Sequence, residues 1–290
     1  MSLRDEIISS VKAIPPMRST GVKVLELLQD PDASIHELVK IIEFDQGLTT
    51  NILRMANSSY FGSSGRINSL RDAIVQLGTG TVYKLIVASM VSPVENDEIK
   101  GYDLGSGELW SHSVAVAVGG EKISSELGLD IPDYTFTAGL LHDIGKIVMG
   151  TFLEINADPV KSIVDGGSKS FEEAEREVFG ISHSEAGAIL LDEWNFPNEI
   201  VDVVRWHHRP EEYRGEETAV DVIHISNAIC LMSGIGIGKD GLNHNLNEET
   251  VQKLDLRINT TEKIAGEIIT ELEEIQSLFD LKIRVGKGVS

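Results

Sequence analysis

The sequence predicts an all-α protein, and three observations carry that prediction. Helix start signals recur along the chain, apolar residues follow them at helical spacing, and sustained period-two alternation is nearly absent. Ser34 with Glu37, Ser170 with Glu173, Ser182 with Glu185 and Asn259 with Glu262 each set a short polar residue three positions before a glutamate. In that spacing the first side chain accepts from a free helix-start amide and the second reaches back to do the same. At 290 residues the chain is long enough to build a core without disulfides. Its single cysteine, Cys230, sits between Ile229 and Leu231 and fits a buried thiol in a reducing compartment.

Taken in order, Pro15-Pro16 and Asp30-Pro31 divide the N-terminal part into short helices, because proline disfavours the α region for the residue before it. Val22 to Leu28 suits a short helix through Leu25, Leu27 and Leu28, and the helix behind Ser34 buries Ile35, Leu38, Ile41 and Ile42. Residues 1–100 form an N-terminal helical part that ends in Glu95-Asn96-Asp97-Glu98. Residues 101–212 form a helical core that carries most of the ligand-type side chains. Residues 213–290 follow the acidic stretch of Glu211, Glu212, Glu216 and Glu217 and add helices packed on that core. The loop Gly234 to Gly241 reads as a flexible surface turn. It has a phosphate-loop look, but Ser233 and Asp240 replace residues such a loop requires. The last helix, about 260–279, is amphipathic through Ile264, Ile268, Leu272 and Ile275 and is expected to cover the core.

Forty-six acids against twenty-five bases leave a net charge of −21, which argues against direct binding of a phosphate backbone. The N-terminus has no apolar run of the targeting type. Stretches such as Leu85 to Val91 fall far short of the ~20 apolar residues of a membrane span, so a cytoplasmic protein without membrane contact is expected.

Histidine placement is the informative feature. His142-Asp143 follows an apolar helix (Phe136, Leu140, Leu141) and precedes Gly145 and Lys146; Gly145 is expected to end that helix near the site. Glu108 and His112 share a helical face at i, i+4, His183 stands just behind the Ser182 cap, and His207-His208 ends a helix carrying Ile200, Val201 and Val204. Imidazole and carboxylate together suit Mn, Fe, Ni or Zn better than Ca or Mg. His36, on a surface helix, and His244, in a polar loop, read as solvated. Gly78-Thr79-Gly80 follows no strand, and no Gly-x-Ser-x-Gly elbow exists, so neither a dinucleotide site nor a serine hydrolase is indicated.

The ordered series His112, His142-Asp143 with Gly145-Lys146, His183 and His207-His208 resembles the HD superfamily of metal-dependent phosphohydrolases. Residues 1–212 are similar to its HDOD branch through Ile14-Pro15-Pro16, Leu27 to Asp32, Arg54 to Gly62 and Ile67 to Ile74. The similarity continues through Leu109 to Ser113, Ala138 to Lys146, Phe179 to His183 and Trp206 to Pro210. It implies an all-α fold with an HD-type core and an N-terminal helical subdomain, and a bacterial signalling role exercised on partner proteins in trans or through a nucleotide or phosphate ligand. Compared with the related HD-GYP phosphodiesterases, Glu108, His112, His142, Asp143, His183, His207 and His208 fall on metal-ligand positions, for one or two ions. Lys146 falls on the phosphate-contacting lysine, so hydrolysis, if present, would rest on Asp143 and Lys146. Two positions depart from the pattern. Asn227 stands where a late ligand aspartate is expected, offering a carbonyl oxygen without charge, and the stretch after His208 lacks the GYP signature, so cyclic di-GMP hydrolysis is not implied. Two functions remain open on this reading, a signalling module with a retained metal site and a metal-dependent phosphohydrolase.

Overall fold

A computed structural model describes residues 2–15, 35–43, 46–57, 67–95, 97–167, 169–215, 218–241 and 246–278. They are helical throughout, and the only extended pairing among them is an isolated bridge between Ile99 and Leu104. The helix expected over Val22–Leu28, the Ser34 cap, residues 58–62 of the Arg54–Gly62 motif, Glu216, Glu217 and His244 lie outside the described residues. No described helix is long and apolar enough to cross a membrane.

The chain divides into two compact units. Among the described residues, those of 2–15 and 94–272 cluster in the larger one and those of 35–93 with 273–278 in the smaller, so the first helix groups with the larger unit. That helix, α1 (Leu3–Lys12), is opened by a capping box in which Ser2 and Asp5 bond each other's main chain, and it buries Ile7 and Val11.

The smaller unit contains α2 (Ile35–Ile42), α3 (Gln46–Ala56), α4 (Leu70–Leu77) and α5 (Thr79–Glu95). Its core is apolar: Leu38 and Ile42 meet Ile52, Ala56, Leu70, Ile74, Leu77, Val82 and Ile86. Each buried leucine or isoleucine there contributes about 1.5–3 kcal/mol of transfer free energy, so these short helices are held by packing rather than by propensity. Ser69 caps α4 through the Asp72 amide, and Asn57 ties the end of α3 to Ile67 with two hydrogen bonds of 2.8 Å. His36 is exposed, as its surface helix predicts.

In the larger unit α6 (Glu108–Leu127) is the central helix, buried from Leu109 through Gly120. Against it lie α7 (Thr135–Leu141) and a later helix over Thr218–Met232. Small residues permit that approach: a Cβ on Gly139 would stand 2.9 Å from the Ala117 Cα, and Ser226 Oγ donates to the Val116 carbonyl at 2.7 Å. The chain continues through α8 (Lys146–Ile155), α9 (Ala157–Asp165), α10 (Phe171–Phe179), α11 (His183–Glu193) and α12 (Asn198–Trp206). It ends with α13 (Thr218–Met232), α14 (Glu248–Lys253) and α15 (Ile258–Leu278). The capping boxes expected at Ser170 and Ser182 are both formed. The one expected at Asn259 is not, because α15 begins at Ile258 and so places Asn259 inside its first turn. Ile264, Ile268 and Leu272 of α15 are buried, and Cys230 is buried on α13, where burial pushes its thiol up.

The Gly234–Gly241 loop differs from its sequence reading. Ile235 is 5% and Asp240 8% exposed, so this segment is not a solvated turn. Gly234 and Gly236 take φ of +83° and +66°, and a Cβ on Gly236 would stand 2.5 Å from that of His112. Those glycines let the backbone lie directly on a buried histidine, which a turn of ordinary residues could not do.

Candidate metal centre

The site forms where α7 stops. Residues 142–145 make a turn rather than a helical extension, and α8 starts at Lys146 with Gly145 as its N-cap residue. Gly145 therefore acts at a helix start, not as the helix-ending glycine expected. A Cβ there would fall 1.9 Å from the His183 carbonyl oxygen, so only glycine allows α8 to start this close to the beginning of α11. The break places Asp143 at the centre of five histidines drawn from four segments of the chain.

Four of the five imidazoles are fixed from behind. Nδ1–H donates to the Ile235 carbonyl from His112 (2.9 Å), to the Gly139 carbonyl from His142 (2.7 Å) and to the Val204 carbonyl from His207 (2.7 Å). A carbonyl only accepts, so in each ring Nδ1 carries the proton and Nε2 presents its lone pair inward. His183 donates from Nδ1 to Glu175 Oε2 at 2.7 Å, and its backbone N–H meets the same oxygen at 2.9 Å. The Nε2 atoms converge on Asp143. Oδ2 stands 3.3 Å from His142 and 3.6 Å from His112, while Oδ1 stands 3.3 Å from His183 and 3.8 Å from His207. His183 and His208 meet through their Nε2 atoms at 2.8 Å.

Two groups result, His112-His142-Asp143 and Asp143-His183-His207-His208, which share the one carboxylate. Ligand atoms about 2.1 Å from a common ion stand roughly 3.0–3.4 Å apart, close to most of these separations. Nε2 of His142 and Nε2 of His207 are buried with no hydrogen-bond partner among the described residues. An unmet buried acceptor costs about 1–3 kcal/mol, and a cation facing each ring would remove that cost. The residues therefore fit a divalent ion.

The electrostatics differ across the cluster. Burial, and then the neighbouring His142, push His112 down to about 4, so it is neutral. Burial and His142 also lower His207. Burial opposes charge on His183 as well, but Glu175 and then Asp143 outweigh it and raise that ring to about 10. Asp143 is held well below the carboxylate range, against burial, by His142 and Lys146. Lys146 Nζ lies 2.6 Å from Asp143 Oδ2 and 2.5 Å from Asp240 Oδ2, and these two carboxylates hold its charge although the side chain is buried.

Among the residues expected from sequence, His112, His142, Asp143, His183, His207 and His208 come together, and Lys146 touches Asp143. Asn227 stands at the edge, its side-chain amide 3.0 Å from His112 Nε2. Glu108 does not join either group. Its Oε2 accepts from the Gly105 amide at 2.7 Å, so the carboxylate closes the turn that starts α6 instead of following His112 inward. Three contributors were not legible from sequence. Glu175 is fully buried behind His183 and also accepts from the Tyr102 hydroxyl. Asp240 pairs with Lys146. His224 donates from Nδ1 to the His207 carbonyl at 2.8 Å and accepts from the Asn247 amide at 3.0 Å, so it braces the His207 backbone. A cavity of roughly 320 Å³ opens beside the second group, lined by Glu172, His183, His208, Arg209 and Asp240 among others.

An all-helical fold with an adjacent His–Asp pair at a multi-histidine centre defines an HD-like protein. The HDOD domain family matches residues 14–210, and the chain belongs to that family. A crystal structure of an HDOD domain protein of unknown function from Geobacter sulfurreducens aligns with a TM-score of 0.75 and 25% identity, over 97% of this chain and 98% of that one. A structure from Shewanella amazonensis shares the fold at a TM-score of 0.66 and 20% identity, over 95% and 97%. An uncharacterized protein of Treponema pallidum is 25% identical over 222 residues, 73% of this chain and 42% of its own length. Ribonuclease Y of Fervidobacterium nodosum is 27% identical over 150 residues, 52% of this chain and 22% of its own length. The chain thus spans less than half the length of these two relatives.

Proposed function

We propose that this protein is a signalling module of the HDOD type built around a retained divalent-metal centre, acting on partner proteins in trans or through a small ligand. One observation carries the metal reading: four imidazoles, each with Nδ1 committed to a fixed acceptor, direct their Nε2 atoms at the single carboxylate of Asp143. Such fixing from behind is how proteins orient metal-binding histidines. His112, His142 and Asp143, with Asn227 beside them, would hold one ion, and Asp143, His183, His207 and His208 the other. Mn, Fe, Ni and Zn suit these donors. When bound, a pair of this kind supplies Lewis acidity and lowers the pKa of water.

Signalling is favoured over hydrolysis because Asn227 brings no charge to its half of the centre and Lys146 is already paired with two carboxylates. The second reading, a metal-dependent phosphohydrolase, draws on the cavity that reaches His183 and His208. Elemental analysis of chain purified without chelators tests the first reading. About one to two ions of Mn, Fe, Ni or Zn per chain are expected, and none would overturn it. Steady release of phosphate from phosphomonoesters by the metal-loaded chain, lost with Asp143→Ala, would favour the second.

A further inference from the structure

The Gly234–Gly241 loop is bound to the site at three places. The Ile235 carbonyl accepts from His112 at 2.9 Å, the Lys239 amide donates to the Tyr102 carbonyl at 2.8 Å, and Asp240 Oδ2 meets Lys146 Nζ at 2.5 Å. Asp240 lines the cavity beside His183 and His208, whereas Lys146, only 3% exposed, is not among the residues that line it. Asp240 is 8% exposed, and its second oxygen, Oδ1, is buried without a hydrogen-bond partner among the described residues. Its carboxylate thus lies between the cavity and Lys146, the lysine that contacts Asp143.

Arg209, another buried cation of this wall, faces three carboxylates. Its Nη1 donates to Glu212 at 2.7 Å, Nη2 stands 3.9 Å from Glu185, and Nε stands 3.5 Å from Glu172 without a hydrogen-bond partner among the described residues. An oxyanion entering here would find Lys146 and His183 each held by two carboxylates and Arg209 facing three, with Glu172 and Asp240 in the same wall. Desolvating it against those carboxylates is costly unless one of them moves.

From this we infer that Asp240 is a specificity-determining residue: it takes the position on Lys146 that a phosphate group would need, and so the cavity rejects phosphate at that lysine. The carboxylate acts as an internal competitor, tethered at high effective concentration by a loop anchored on His112 and Tyr102. The inference rests on reading the cluster as a ligand-binding metal centre. It adds that the lysine an HD-type centre would offer to phosphate is closed by the chain's own side chain.

The test is calorimetric titration of inorganic phosphate into the full chain, with metal content determined on the same samples. Asp240→Asn keeps the shape of the side chain and removes its charge. It is expected to bind phosphate roughly tenfold tighter than the unaltered chain, the scale of one freed charge-assisted hydrogen bond. That gain should vanish in the double variant Asp240→Asn, Lys146→Met, which a merely loosened loop would not explain. Equal phosphate affinity in the unaltered chain and Asp240→Asn overturns the inference, as does a gain that persists without Lys146. Absence of metal would sink the metal-centre reading while the phosphate titration still decides the role of Asp240. Should Asp240→Asn fail to fold, crystals of the unaltered chain soaked in tungstate decide instead. Oxyanion on the His183 and His208 side with Lys146 still on Asp240 is expected, and tungstate on Lys146 with Asp240 displaced contradicts the inference.

Discussion

The two sides of Asp143 are built from the same residue type and differ in what backs one ring, since His207 on the Oδ1 side is carbonyl-backed and lowered like His112. On the Oδ2 side, His112 and His142 are backed by main-chain carbonyls, and the nearest further donor is the uncharged Asn227. On the Oδ1 side, His183 is backed by the buried carboxylate of Glu175, and it is raised to about 10 where His112 is lowered to about 4. A carboxylate behind an imidazole makes it a stronger donor, whereas a carbonyl fixes its direction and adds little charge. The difference teaches that position alone does not equalise two halves of a centre. The Glu175 half should hold its ion more tightly than the Asn227 half.

The largest effect expected is from Asp143→Ala, which removes the only ligand both halves share. Metal content should fall to background. Because Lys146 and the histidines lose their buried counter-charge, stability should drop by about 3–5 kcal/mol, read as a lower thermal midpoint. Metal content and melting temperature both unchanged would break the comparison at its root.

Glu175→Gln comes next. It keeps the hydrogen bond to His183 and removes the charge, so affinity at the tighter half should fall about 10–100-fold while the weaker half is unaffected. Asn227→Asp acts on the other side and should strengthen the weaker half by roughly tenfold, the value of one added charge-assisted contact. Manganese titrations of each variant read both effects, and equal changes in the two halves would show that the comparison is wrongly drawn.

The smallest expected effect is a count of protons. His183 is charged in the metal-free chain up to about pH 10, so an ion that takes its Nε2 must displace a proton at pH 8. His112 is neutral above about pH 4 and releases none. Binding heats in buffers of different ionisation enthalpy should therefore show about one proton leaving with the tighter ion and none with the weaker. The same shift fixes a sign for the metal-free protein. A raised histidine contributes stability that is full below its unfolded value of about 6.5 and is lost as pH rises through about 10.

Much of this centre could be read from the sequence because its ligands announce themselves locally. His142-Asp143 are adjacent, His207-His208 are adjacent, and His183 follows a capping box that formed as written. The supports were illegible for a physical reason. Glu175 lies in Phe171-Glu172-Glu173-Ala174-Glu175, where a glutamate on an acidic amphipathic helix looks solvated, and it is contacts outside its own helix, to His183 and Tyr102, that bury it. Asp240 follows a glycine-rich stretch that reads as a surface turn until the backbone is seen on His112. Glu108 is the opposite case: its i, i+4 spacing to His112 is real, but its carboxylate accepts from the Gly105 amide at 2.7 Å. In the smaller unit the pattern was easier. Apolar spacing alone gives its core, and among the side chains described in 35–93 no polar one is buried.

The most direct test of the account is a titration of manganese into the metal-stripped full chain, followed by calorimetry. Two ions binding in two steps, the tighter one with proton release and weakened by Glu175→Gln, is the predicted result. No saturable binding, or two equivalent ions indifferent to Glu175, would contradict it.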